Sequence, residues 1–428
     1  MKIRHLRWYV ALLLFTSSVI NYIDRQTLSI VAPILTTELH LSEIDYANIL
    51  QAFLIAYTVM YLVSGWITDR WGTRLALASF MIWWSAANAL HALARSAFQL
   101  GFFRFLLGAG ESGNFMAASK AASEWYPPKE RAFVNGLVNA GASVGAVIAA
   151  PLVVWLTARF GWRNAFIITG SMGFVWLAAW LFFYHLPEKH PHITREELAA
   201  VRGAGGGPPG PAARARWVEL LRWPQTWGLL LSRFVSDPVW WFYLFWLPKY
   251  LVEHRGFTMA QMGMLAWLPY LSADLGAVAG GLVSGYLVKK NWPVLRARRA
   301  SMLPCALVMP VSLIIAFSPS NLLVMALICL VTFSHMAWKT NLMTMTNDIY
   351  PTRMVGSVAG VVAFGSGLGA AVFTNIAGRI ISIGSYRLVF IVLGFLHPAA
   401  FLIVQFLVRG ELQSKAHRPA ETEVDARQ

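Results

Sequence analysis

The amino-acid sequence predicts an all-α, polytopic membrane protein with twelve transmembrane helices in two six-helix bundles. Three observations predict it. Hydrophobic residues make up 57% of the 428 and charged residues only 13%, where an ordinary soluble domain carries about a quarter charged. A soluble core also stops growing beyond roughly 250–300 residues, so this much apolar side chain has to face lipid. Apolar runs of span length come as six, a polar break, and six. The 19 Trp fit the same reading, because Trp gathers at bilayer interfaces.

A hydrocarbon core of about 30 Å takes roughly 20 helical residues to cross. Runs of that length lie near 8–34, 46–67, 75–94, 97–119, 133–157 and 163–184, then near 225–252, 262–288, 299–318, 321–346, 355–380 and 386–409. The first run starts at Trp8 behind a basic stretch and reaches Leu35 with no small-residue cleavage site, so a retained helix is expected. The chain thus divides into an N-terminal bundle (1–184), a linker (185–222), a C-terminal bundle (223–410) and a tail (411–428). The linker tract from Gly203 to Pro211 is too rich in Gly and Pro to hold a packed structure. Ahead of it, Thr194 and Glu197 have the spacing of a capping box and predict a short surface helix. The stretch Arg214–Trp223 is expected to lie on the membrane.

A net charge of +15 would suit nucleic acid if it formed a stripe. Instead, Lys and Arg sit in short loops. With the N-terminus in the cytoplasm, 24 of the 35 fall on that side, 7 on the other, and 4 (Arg25, Arg104, Arg233 and Lys339) inside spans. Cytoplasmic loops carry such an excess, so both termini are expected in the cytoplasm, on an inner (plasma) membrane, with no nucleic-acid partner. Cys305 and Cys329 are too few for a disulfide or metal framework and read as small packing residues. No metal and no cofactor is expected.

A charge at mid-bilayer costs roughly 2.5–3.5 kcal/mol on insertion scales, so it normally faces a wet cavity or a partner. Asn21, Tyr22, Asp24 and Arg25 sit near the middle of the first span. Arg104 and Glu111, seven apart, share one face of the fourth. Arg233, Asp237 and Pro238 interrupt a seventh run rich in Trp240, Trp241, Tyr243 and Trp246, and the tenth holds His335 and Lys339 at i, i+4 with Asn341 beyond. On a structural reading these charges pair and glue helices, as a buried Arg between carboxylates often does; His335 alone reads best as a packing group. On the functional reading Asp24 and Glu111 take up and release protons, which coupling requires. Arg25 and Lys339 then host an anionic group, which Arg grips bidentately.

Gly141, Gly145 and Ala149 in the fifth span, and Gly356 and Gly360 in the eleventh, recur at four-residue spacing and let helices approach closely. Gly108-Ala-Gly110-Glu-Ser-Gly113 matches the dinucleotide fingerprint, with Glu130 roughly where a ribose-binding acid would fall. That pattern has meaning only between a strand and a helix of a soluble βαβ unit; here it lies in an apolar span, and nucleotide binding is set aside. No zinc-protease motif, phosphate-binding loop or nucleophile elbow occurs, which argues against an enzyme or pump.

The loop after the second run reads Gly65-Trp-Ile-Thr-Asp69-Arg70-Trp-Gly72-Thr-Arg74. It resembles the G-x-x-x-D-R-x-G-x-R signature of the major facilitator superfamily, lacking only a second basic residue at Leu75. With six-plus-six topology the resemblance covers the whole chain. It implies a central cavity lined by spans 1, 4, 7 and 10 and worked by alternating access, with Gly65, Asp69, Arg70, Gly72 and Arg74 as a conformational switch. The four charge clusters fall in those four spans.

Within that superfamily the chain resembles the anion:cation symporters, and bacterial hexuronate transporters in particular. The matching pieces are Leu6-Arg7-Trp8-Tyr9, Asn21-Tyr22-Ile-Asp24-Arg25, Arg104 through Glu111, Ser123-Glu124-Trp125-Tyr126-Pro127 and Lys129-Glu130-Arg131. The second half adds Arg233-Phe234, Asp237-Pro238, Trp246-Leu-Pro248, Ala273-Asp274-Leu275-Gly276, and Asn347-Asp348 with Pro351. The resemblance implies that Asp24 and Glu111 carry protons, that Arg104 couples them, and that Tyr22, Arg25 and Tyr57 meet a sugar acid. Trp241, Lys339 and Asn341 complete the expected substrate contacts. That family usually has a small or hydroxyl residue where Lys339 stands; an added cation can read a second carboxylate, as in an aldarate. The expected activity is proton-coupled import of a hexuronate or related sugar-acid anion by a monomer in the lipid bilayer. The alternatives are the same fold carrying an aldonate, an aldarate or another organic anion, an exporter, and a non-transporting sensor, against which the short loops argue.

Overall fold

A computed structural model describes residues 5–126, 128–203, 220–350 and 352–409. Pro127, Pro351, the tract 204–219 and the tail from 410 lie outside the described residues, as do the side chains of Lys129 and Arg353. Span 1 is Leu6–Glu38, span 2 Glu43–Trp71, span 3 Thr73–Leu90, and span 4 Ala97–Glu111 with Gly113–Trp125. Spans 5 and 6 share the helix Pro128–Phe183, which turns at Gly161, whose φ of 78° a Cβ would strain. Span 7 is Pro224–Ser236 with Pro238–Lys249, and span 8 Met259–Leu265 with Leu268–Lys289. Span 9 is Val294–Val308 with Ser312–Phe317, span 10 Asn321–Ile349, span 11 Thr352–Ser382 and span 12 Tyr386–Leu407. No strand occurs among the described residues.

Several helices outrun the apolar windows because polar side chains cap their ends. Ser42 and Asp45 close a capping box at span 2, and Thr258 with Gln261 does so at span 8. Spans 4 and 7 break where the sequence puts its charges. Span 4 breaks at Ser112, directly after Glu111, and span 7 at Asp237, before a proline that has no N–H to continue the ladder.

Small residues set the closest helix approaches, and they do so twice. A methyl group at Gly141 would lie 2.3 Å from the Phe15 carbonyl oxygen, and one at Gly145 2.5 Å from that of Val19, so span 5 lies against span 1. One at Gly108 would lie 2.4 Å from the Phe53 carbonyl oxygen, seating span 4 on span 2. In the second half Gly369 meets the Phe234 carbonyl of span 7 and Gly276 the Phe333 carbonyl of span 10, each at 2.1 Å. The pairings 1–5 and 2–4 thus recur as 7–11 and 8–10. The span 11 contact comes from Gly365 and Gly369; a methyl group at Gly360 meets nothing within 4 Å. Gly356 falls outside the described side chains. The fingerprint-like glycines are packing sites, Gly110 against Trp84 and Gly113 against Phe80.

Among the described residues, the contacts between the two bundles gather on one side and at mid-height. On the face remote from the start of span 1, Tyr46 donates to the Phe245 carbonyl at 2.7 Å, and Lys249 bridges Glu43 and Glu253. Thr36 donates to Glu253 at 3.0 Å, and Asn375 reaches Asn48 and Gln51 at 3.2 and 3.3 Å. At mid-height Ser143 meets Asp274, and Thr58 packs at Gly367. Toward the face that carries the start of span 1, a methyl group at Gly65, Gly136, Gly285 or Gly360, in the same four spans 2, 5, 8 and 11, meets nothing within 4 Å. The bundles therefore part on that face.

The linker helix is Arg195–Gly203. Half the expected capping box forms, with the Glu197 N–H donating to Thr194 at 3.2 Å. The Glu197 carboxylate instead accepts from the backbone N–H groups of Leu6 and Arg7 at 3.2 and 2.9 Å. The free N–H groups and positive dipole end of span 1 draw it there. Cys305 and Cys329 are free and partly buried.

Candidate functional site

Arg25 occupies a box built from both bundles. Its guanidinium lies 4.6 Å from the Tyr22 ring centroid, 4.9 Å from Tyr57, 5.3 Å from Phe53 and 5.9 Å from Trp241, the last contributed by span 7. Arg25 Nε donates to Glu111 at 2.8 Å and Nη2 to Asn21 at 3.2 Å. Neither partner of the Arg25–Glu111 pair is more than 2% exposed. Aromatic faces favour a cation, and a buried ion pair is expensive to leave half-made. Tyr22, Tyr57 and Trp241 are each partly exposed around this buried pair.

Asp24 turns the other way, into the N-terminal bundle, with no exposed surface. Asn88 of span 3 donates to its Oδ1 at 2.8 Å and also reaches Thr169 of span 6; Oδ2 has no hydrogen-bond partner. Arg104 is equally buried. Its Nη2 donates to the Arg25 carbonyl at 2.6 Å, and Phe53 and Phe245 flank it. It makes no hydrogen bond to either carboxylate among the described residues, and it holds the backbone that carries Arg25.

In the second half, Arg233 pairs with Asp237 at 2.5 Å, and Ser366 of span 11 donates to the same carboxylate at 2.5 Å. Lys339 has no ion pair or hydrogen bond among the described residues; its ammonium stands 6.0 Å from the Trp240 ring. His335 stacks flat on Trp240 and shares a 3.1 Å hydrogen bond with His397 of span 12, which fits the packing role expected of it. Asn341 is not brought to the Arg25 box. It is wholly buried and donates to the Gly280 carbonyl and Ser301 hydroxyl at 3.0 and 3.2 Å, bracing span 10 on spans 8 and 9.

The loop signature knits the N-terminal bundle on its open face. Asp69 pairs with Lys120 of span 4 at 3.0 Å, and Lys120 also donates to the Thr68 carbonyl. Arg74 donates to the Leu181 carbonyl of span 6, Trp180 donates to the Arg74 carbonyl, and Arg70 lies over Trp66. Gly72 has a φ of +76° and Gly65 faces open space. In the second half Arg298 plays the matching part, donating to Asp348 at 3.0 Å and Ser284 at 2.8 Å.

Sequence reasoning assigned no role to several residues that the fold brings to this region. Asn88 and His397 carry no signal beyond polarity within an apolar run. By sequence Lys249 is a loop cation, yet it is 1% exposed between two glutamates. Gln26 adjoins Arg25 in sequence, and Asp274 stands inside an apolar run, so both were findable as polar groups at membrane depth.

Fold and site define a multi-pass membrane transporter, not an enzyme. The family model described as "Major Facilitator Superfamily" matches residues 14–374 and 297–426, and the chain belongs to that family. It is 33% identical to the hexuronate transporter of Escherichia coli (strain K12) over 409 residues, 94% of each chain. It is 37% identical to the galacturonate transporter of Dickeya chrysanthemi over 282 residues, 65% of this chain and 82% of that one. The fold superimposes on a bacterial homologue of the human lysosomal transporter Spinster in an inward-facing, occupied conformation, with a TM-score of 0.73, 18% identity and 95% of both chains covered.

Proposed function

We propose that this chain is a proton-coupled symporter that imports a hexuronate or related sugar-acid anion across the cytoplasmic membrane. Both termini are cytoplasmic in this reading, so the bundles part toward the cytoplasm. The observation that carries it is the Arg25–Glu111 pair inside an aromatic box shared by both bundles. Glu111 competes with a substrate carboxylate for one guanidinium. A proton on Glu111 frees Arg25, which then grips the incoming carboxylate bidentately. Loss of that proton to the cytoplasm re-forms the internal pair and displaces the substrate. Asp24, held by Asn88 rather than by a cation, supplies a second proton site on the same helix. The hexuronate and galacturonate carriers among the relatives support the substrate class.

If both acids load a proton with one monoanion, each cycle moves one net positive charge. The membrane potential then drives entry by about 2.3 kcal/mol per 100 mV. Glucuronate uptake into proteoliposomes under an imposed proton gradient tests the coupling. Uptake that ignores the gradient overturns it, and absence of current under a potential removes the two-proton version.

A further inference from the structure

Gln26 follows Arg25 in the chain and is 1% exposed, yet neither its amide oxygen nor its amide nitrogen has a close hydrogen-bond partner among the described residues. Buried polar groups left this way are rare and destabilising, and each calls for an explanation. Among those residues, the one polar group within reach of that amide is the Tyr270 hydroxyl of span 8, which interacts with it weakly. One turn further along span 8, on the same face, comes Asp274. This partly exposed carboxylate accepts from the Ser143 hydroxyl of span 5 at 2.5 Å across the bundle interface and pairs with no cation among the described residues. It acts electrostatically on Tyr22, whose ring covers the Arg25 guanidinium at 4.6 Å. An amide, a phenol and a carboxylate thus lie close to the Arg25 box.

We infer that Gln26, Tyr270 and Asp274 form a subsite that reads ligand hydroxyl groups, with the ligand carboxylate at Arg25 and its polyol chain running toward span 8. The inference rests on the reading of Arg25 proposed above and extends it to the rest of the ligand. A hydroxyl donates and accepts at once; the amide of Gln26 offers both complements and Asp274 accepts. Ser143 holds one oxygen of Asp274 in place and leaves the other free for the ligand. A site that hydrogen-bonds a hydroxyl rejects the analogue lacking it, because its own buried polar groups are then left unpaired.

Two acids separate the subsite from Arg25: glucuronate, and hexanoate, which keeps the carboxylate and has no hydroxyls. Binding of each is measured calorimetrically on the purified full chain. Gln26→Leu is expected to weaken glucuronate about tenfold while hexanoate stays within about twofold. The same substitution raises the melting temperature of the unliganded protein, since an apolar isostere removes an unsatisfied amide. A merely structural glutamine moves that temperature the opposite way. Asp274→Asn is expected to weaken glucuronate with the same selectivity; if it fails to fold, Gln26→Leu decides alone. Equal loss for both acids, or loss for neither, overturns the subsite. A parent chain that binds neither acid overturns the Arg25 reading itself, and the subsite with it.

Discussion

Arg25 and Glu111 close on each other at 2.8 Å with almost no exposed surface, and they come from spans 1 and 4 of the same bundle. Arg25 also touches Trp241 of the opposite bundle. The pair therefore sits where an event inside one bundle is felt by the other. Removing one partner of such a pair costs about 3–5 kcal/mol because the other charge is stranded. A ligand carboxylate can take the place of Glu111 at little such cost, once a proton has neutralised Glu111.

Glu111→Gln mimics that neutralised state. It is expected to bind glucuronate at least as tightly as the parent and with little dependence on pH between 6 and 8, while accumulating none against a gradient. Ligand-induced thermal shifts across pH, beside uptake, measure both. A mutant that keeps the parent's pH dependence assigns the coupling proton elsewhere.

Asp24→Asn leaves the Arg25 box intact, because Asp24 points toward Asn88 and away from it. Uphill accumulation is expected to vanish, whereas exchange of internal for external substrate continues. Counterflow in proteoliposomes separates the two, and accumulation equal to the parent's refutes a proton role.

Arg25→Ala removes the proposed anion receptor. A ligand at a hundred times its Kd stabilises a protein by about 2.7 kcal/mol; that stabilisation should be absent here. A double substitution, Arg25→Ala with Glu111→Ala, keeps the test sound, since it removes the stranded carboxylate. Glucuronate stabilisation that survives in the double variant would place the anion at another cation.

Lys339 is that other cation, partly exposed and without an ion pair or hydrogen bond among the described residues. Glucarate carries a second carboxylate where glucuronate has none. With both in competition for uptake, Lys339→Ala should weaken glucarate about tenfold or more and glucuronate far less. Equal weakening makes Lys339 a general attractor of anions instead of a reader of the second acid.

Much of this arrangement was legible in the chain, for a physical reason. Bilayer thickness fixes helix length, and charges in apolar runs are too costly to be incidental, so Asp24, Arg25, Arg104, Glu111 and Lys339 announced themselves. Their partners did not. Seven-residue spacing puts Arg104 and Glu111 on one face, yet Glu111 pairs with Arg25 and Arg104 bonds the Arg25 backbone. Which helix faces which is decided by close contacts such as Gly145 on Val19, which no single helix reveals. Asn341 braces span 10 instead of joining Lys339, for a reason the sequence did contain. Two residues turn a helix by about 200°, so Lys339 and Asn341 cannot both face one chamber.

Lys249 joins the bundles on their closed face, buried between Glu43 of span 2 and Glu253 at the end of span 7. In the alternating-access cycle expected of this chain, this contact breaks whenever the bundles open to that side. Its strength thus helps set the balance between the two states. Lys249→Met removes the cation and leaves two glutamates facing each other across the bundle interface, where like charges repel. The population is expected to move toward the state open on that face, and the Tyr46–Phe245 and Asn375–Asn48 contacts beside it should part as well. Cysteines substituted at Asn48 and Asn375, after Cys305 and Cys329 are replaced, report this as faster labelling by a membrane-impermeant thiol reagent. Adding Glu43→Gln and Glu253→Gln relieves the repulsion and should return labelling toward the parent's rate. Labelling that Lys249→Met leaves unchanged would mean the face is held shut by packing alone.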